Sequence, residues 1–145
     1  MKRDVWFLLL IVSALGVVFL VRGLGGAAET PGVFSEGYTL EQARLLSEES
    51  GKPIFAVATA DWCAPCQTLK RGPLSDAAIV AYLRAETIPV YLEESDSMDD
   101  IRALSVRAYP TTLVISKGEV FGMIEGGASA QRYLELIRQA VDDAG

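Results

Sequence analysis

Cys63 and Cys66 are the only cysteines in 145 residues, separated by two residues within TADWCAPCQTLK, residues 59–70. Such a pair could be half of a metal site, two inert thiols, or a dithiol that closes to a disulfide and opens again. A structural zinc site needs four N or S ligands, usually Cys or His. This chain has two cysteines and no histidine, so a metal would need a site shared between two chains, and none is expected. Inert thiols behave as small hydrophobes within a core. These two instead follow an apolar run, lie beside Asp61 and Trp62, and open a helix. That is where a chain crosses the end of a sheet and sites form.

Helix geometry favours the redox reading. Two sulfurs at i and i+3 on a first helical turn can meet in a small ring. The first lies where unpartnered backbone N–H groups point outward and the helix dipole is positive. Both favour the thiolate, the form that attacks a disulfide. Pro65 is tolerated because a first turn has N–H groups to spare. Cys63 is therefore expected to be an exposed nucleophile. Cys66, a turn further in, is expected to resolve the mixed disulfide. No carboxylate pair is placed for hydrolysis, and GEVFGMIEGG lacks the glycine spacing of a phosphate cradle.

The elements that must hold the pair are legible around it. Thr39 and Gln42 form a capping box for a helix with Leu40, Ala43, Leu45 and Leu46 on its apolar face, and Gly51 ends it. PIFAVAT, 53–59, reads as a strand covered on both faces. The cysteine helix runs through about Lys70. Ser75 is expected to cap DAAIVAYLRAE, TIPVYLE (87–93) to be a strand, and Ser97 to cap MDDIRALSV with Asp100 assisting. TTLVIS and EVFGMI form a hairpin across Lys117-Gly118. Ser129 caps a closing helix with Tyr133, Leu134, Ile137 and Val141 on one face. This order predicts an α/β fold with a mixed central sheet flanked by helices.

Ahead of this domain, Val5–Val21 contains no charge and is flanked by Lys2, Arg3 and Asp4 on one side and Arg22 on the other. As a helix, its seventeen residues would span roughly 26 Å, near the lower limit for a bilayer core. A cleaved signal peptide could end after Ala28, but the length of the run and Arg22 favour a retained anchor. Residues 1–22 are thus expected to be the anchor, 23–36 a flexible Gly/Ala-rich linker, and 37–145 the domain. The basic start places the domain on the exported, extracytoplasmic side, secreted if the segment is cleaved. Past Arg22 there are 10 Lys+Arg against 18 Asp+Glu, a formal charge of −8. That argues against nucleic acid or an anionic lipid surface as partner. Asp61 reads as a solvated residue, as does the acidic run Glu93, Glu94, Asp96, Asp99 and Asp100. No oligomerisation element is evident, so a monomer is expected.

ADWCAPC after PIFAVAT resembles the active site of the thioredoxin superfamily, whose Cys-x-x-Cys motif is well known. VRAYPTTLVISKGEV, 106–120, is similar to that family's cis-proline loop, and Pro110 lies 44 positions after Cys66. The resemblance spans about 39–141 and is strongest to membrane-tethered or exported members, such as the C-terminal domain of the thiol:disulfide interchange protein DsbD. It implies a thioredoxin-like fold in which Cys63 attacks, Cys66 resolves and Trp62 flanks the pair as a lid. A cis Tyr109–Pro110 bond would shape the substrate groove, with the Tyr109 backbone pairing with a bound peptide. It implies no cofactor beyond the Cys63–Cys66 disulfide, protein disulfides as substrates, and a membrane thiol-relay protein as electron donor. Reduction of disulfides is the expected direction. An oxidase, an isomerase or a non-enzymatic peptide-binding module is the alternative. Three departures from the family stand out. Val57 occupies the place of a buried acid, Gln67 that of a basic residue, with Lys70 a turn further on. The first strand is weak, at best Gly32–Ser35.

Overall fold

The computed structural model describes Trp6, residues 10–18 and residues 26–145. Helix α1 (Leu40–Ser50) leads to strand β1 (Ile54–Thr59) and helices α2 (Ala64–Arg71) and α3 (Ala77–Glu86). Strand β2 (Ile88–Glu93), helix α4 (Glu94–Ala103), strands β3 (Thr111–Ser116) and β4 (Glu119–Glu125) and helix α5 (Ala130–Ala144) complete it. The sheet order is β2-β1-β3-β4. β1 and β2 run parallel, with Val57 beside Tyr91 and Thr59 beside Glu93. β1–β3 and β3–β4 are antiparallel. The mixed sheet follows from the connections: helices cross over between β1 and β2, and a two-residue turn joins β3 to β4.

Alternation along β1 divides its side chains between two cores. Phe55 and Val57 pack with Leu69, Leu83, Tyr133 and Ile137 on one face. Ile54, Ala56 and Ala58 pack with Leu40, Ile101 and Leu113 on the other. Every residue of β1 and β3 is buried, as fits the two central strands. Each fully buried Leu, Ile or Phe contributes about 1.5–3 kcal/mol, so the cores fix the strand ends that carry the site.

Several local signals act as expected. Thr39 accepts from the Gln42 N–H at 3.2 Å and its own N–H donates to Gln42 Oε1 at 3.0 Å. Gly51 closes α1 at φ 74°. Lys117 and Gly118 both take positive φ in the hairpin turn, and the Ser129 hydroxyl caps α5. Other expectations need correction. Asp76, not Ser75, caps α3, accepting from Ala78 and Ile79; the Ser75 hydroxyl instead donates to Lys70 O. The fourth helix begins at Glu94, and Ser97 is a kink within it. Gly32–Phe34 is a 3₁₀ turn rather than a strand.

Part of the expected linker is packed onto the domain: Pro31, Val33 and Phe34 are buried. Val33 and Phe34 enter the core, with Phe34 against the Tyr91 ring at 5.4 Å. Arg84 Nη2 donates to Gly32 O at 2.9 Å, and Arg71 Nη2 to Gly26 O at 2.6 Å. Buried aromatic area outweighs the entropy of a free chain, so the folded unit begins before residue 37. Among the described residues no helix is long and apolar enough to cross a membrane. The run 5–21 is described at Trp6 and 10–18, so the expected anchor lies partly outside the described residues.

Candidate active site

The fully buried strand β1 ends at Thr59, and the chain turns through Ala60–Trp62 into α2. Cys63 is the helix cap. Its N–H donates to Ala60 O at 3.1 Å, and its sulfur accepts from the Cys66 N–H at 3.2 Å. The two cysteines form a disulfide, with Cα atoms 5.3 Å apart. Pro65 sits in the first turn, where no N–H is missed. Cys66 lies deeper, as the helical position dictates. Cys63, however, is not exposed: it is 4 % accessible and Cys66 0 %. The reason is Tyr109, which packs against Ala60, Cys63 and Cys66.

Tyr109 reaches the pair from the loop between α4 and β3. The Tyr109–Pro110 peptide is cis, as expected. Pro110 O accepts from the Gly126 N–H at 2.8 Å, which ties the loop to the end of β4. Trp62 directly precedes Cys63 in the turn. It is 74 % exposed, edge-on to Tyr109 at 6.0 Å, and its Nε1–H donates to Glu94 Oε2 at 2.7 Å. An open apolar groove of about 660 Å³ runs beside the helix start, lined by Ala64, Pro65, Leu69, Gly127 and Ala128 among others. Cys63, Cys66, Trp62, Tyr109 and Pro110 thus share one end of the sheet.

A polar cluster beneath the cysteine turn was not legible from residue types. Glu93, expected to be solvated, ends β2 with its side chain 13 % exposed. Its Oε1 accepts the Asp61 N–H at 2.8 Å. Its Oε2 accepts from Thr59 Oγ1 at 2.9 Å and Tyr91 Oη at 3.0 Å. Lys70 is 2 % exposed. Its Nζ lies 3.3 Å from Asp61 Oδ1, 3.9 Å from Glu93 Oε2 and 5.2 Å from the Tyr91 ring centre. Burial pulls the Lys70 pKa down, but Tyr91, Asp61 and Glu93 together outweigh it and hold it above its ordinary value. Asp61, though mostly exposed, is therefore an ion-pair partner. The signal was in the register. Thr59 pairs with Glu93, and Tyr91 shares the face of Glu93 two residues before it. Gln67 also turns inward, donating to Asp61 O at 3.1 Å and accepting the Ala28 N–H. Val57 is wholly buried among apolar side chains. Among the described residues no three His, Cys, Asp or Glu side chains are grouped as a metal would need.

Comparison with known proteins agrees with this arrangement. The family described as a thioredoxin-like domain matches residues 40–141. No curated protein sequence matches the chain. A thioredoxin from Thermus thermophilus is similar in structure, with TM-score 0.67, 20 % identity, and coverage of 74 % of this chain and 88 % of that one. A DsbH oxidoreductase gives TM-score 0.67 at 14 % identity, covering 81 % and 88 %. A putative disulphide-isomerase from Bacteroides thetaiotaomicron gives 0.65 at 24 % identity, covering 81 % and 100 %. These likenesses concern the fold. The family match over residues 40–141 establishes that the chain belongs to the thioredoxin-like family.

Proposed function

We propose that this protein is a membrane-tethered thiol–disulfide oxidoreductase that reduces protein disulfides on the exported side through Cys63 and Cys66. The observation that carries the reading is the Cys63–Cys66 disulfide at a helix N-terminus, packed against Tyr109 of the cis-proline loop. In the reduced protein the Cys63 thiolate attacks one sulfur of a substrate disulfide and expels the other as a thiolate. The Cys66 thiolate then attacks Cys63 in the mixed disulfide, frees the first substrate sulfur and closes the ring. Two electrons pass to the substrate, and its two sulfurs take up protons from Cys66 and solvent. Trp62, Tyr109 and Pro110 form the contact surface for the substrate chain.

The direction and the tether draw on the resemblance to exported relatives such as the DsbD C-terminal domain. Returning the pair to the dithiol requires a donor dithiol, which in an oxidising compartment points to a membrane thiol-relay protein. Support for the tether comes from the N-terminal run. Trp6, Leu10, Ile11, Val12, Leu15, Val17 and Val18 are all exposed, and such a surface needs a non-aqueous partner.

The test is a Cys66→Ser change in the full chain. It should accumulate substrates as mixed disulfides on Cys63, and Cys63→Ser should not. Absence of any covalent species would leave only a peptide-binding module. Equilibration of the pair with glutathione then gives the direction: a potential near that of strong oxidants, about −120 mV, would replace reductase by oxidase.

A further inference from the structure

Lys70 is a cationic side chain buried one helical turn beyond Cys66. Such groups are almost never so enclosed unless paired. Positions i and i+4 share a helix face, with Cβ atoms about 5–6 Å apart. Helical side chains lean toward the N-terminus. The Lys70 side chain therefore runs back toward the cysteine turn, as its 3.3 Å contact with Asp61, ahead of the helix, shows. Glu93 arrives from β2 and grips the Asp61 backbone N–H, two residues before Cys63. One ion cluster thus joins β2, the turn before the nucleophile and the helix that carries both cysteines.

We propose that Lys70 and Glu93 are positioning residues that jointly set the ionisation of Cys63, Lys70 favouring the thiolate and Glu93 opposing it. This deepens the oxidoreductase reading and rests on it. Lys70, Asp61 and Glu93 together carry a formal charge of −1. Losing the lysine leaves −2 on the cluster that holds the turn before Cys63, and neutralising Glu93 leaves none. The other titratable groups about the turn are Tyr91 on β2, Glu94 on α4 and Tyr109 on the loop after it. They are common to all the variants.

The experiment measures alkylation of Cys63 by iodoacetamide against pH in the full chain, in a Cys66→Ser background where Cys63 is the sole thiol. Lys70→Met should raise the midpoint and lower the thiolate fraction at pH 7 by about three- to tenfold. Glu93→Gln, which keeps an oxygen for the Asp61 N–H, should lower the midpoint comparably, and the double variant should return near the parent. Lys70→Arg should also stay near the parent, and if Lys70→Met does not fold the lowered midpoint of Glu93→Gln carries the test, an unchanged midpoint there overturning the proposal. A purely structural role would move both single variants in the same direction, or neither, and either result overturns the proposal. Failure of the oxidoreductase reading would show separately, as absent mixed disulfides with a measurable midpoint.

Discussion

Gly122 faces α5 so closely that a Cβ built on it would overlap the Cβ of Ala140. It lies in β4 opposite Val114, just before the register shift between Val114 and Ile115. Gly122→Ala must therefore push α5 back or displace β4. Overpacking of this size costs about 1–3 kcal/mol. Replacing a strand glycine returns about 0.5–1 kcal/mol through the unfolded chain, so a net loss of about 1–2 kcal/mol is expected. At roughly 4 °C per kcal/mol for a domain of this size, the melting temperature falls by about 4–8 °C. The assay is urea unfolding of the full chain, with Ala140→Gly as the second arm of a double-mutant cycle. Ala140→Gly alone costs about 1 kcal/mol as a helix glycine and lost contact. In the double variant the new methyl occupies the vacated space, giving a favourable coupling of about 1–2 kcal/mol. Additive losses, or a single variant as stable as the parent, would refute the steric argument. The site should feel the change too. Gly126, four residues on, donates to Pro110 O, so a displaced β4 shifts the loop that bears Tyr109 and slows substrate exchange.

Thr39→Ala removes a complete capping box and should cost about 1 kcal/mol in chemical denaturation without changing the midpoint of Cys63 alkylation. Stability should also fall in alkali. Burial holds the Tyr133 phenol above its usual pKa, its bond to Thr112 opposing only in part. The unfolded chain therefore ionises first. This contribution is whole below about pH 10 and is lost toward the folded pKa, at up to about 1.4 kcal/mol per pH unit. Lys70, whose folded pKa is likewise raised, adds a loss of the same sign above its ordinary value. Tyr133→Phe should flatten the alkaline limb measured by urea unfolding. Trp62→Ala, at an exposed position, should leave the melting temperature within a few degrees. It should raise KM for protein disulfides more than it alters kcat, and an unchanged KM would remove Trp62 from the contact surface.

Much of the scaffold was legible because its signals are local. Thr39 with Gln42, Gly51, Lys117-Gly118 and Ser129 act through bonds or dihedrals spanning a few residues, so residue type and spacing suffice. The same holds for Cys63 and Cys66, three positions apart on a helix start. Helix starts at Asp76 and Glu94 were misplaced because several capping residues compete within one turn, and packing chooses between them.

What the sequence alone determined was the cysteine pair at a helix start and the uncharged apolar run that buries β1, while the resemblance of residues 106–120 to the cis-proline loop brought Pro110 to the cysteines. What only tertiary structure decided was the environment of that pair. Glu93 leaves the acidic run for the cysteine turn because β1–β2 register places it beside Thr59. Lys70 is buried because Asp61 and Glu93 meet it from two other elements. Val33 and Phe34 join the core because an apolar face on the sheet needs covering. Those contacts link residues between 9 (Lys70–Asp61) and 57 (Phe34–Tyr91) positions apart, and no local pattern encodes such a distance. Cys63 itself could be read as a nucleophile from its place on the helix, but its enclosure by Tyr109 exists only once the cis-proline loop has folded against it.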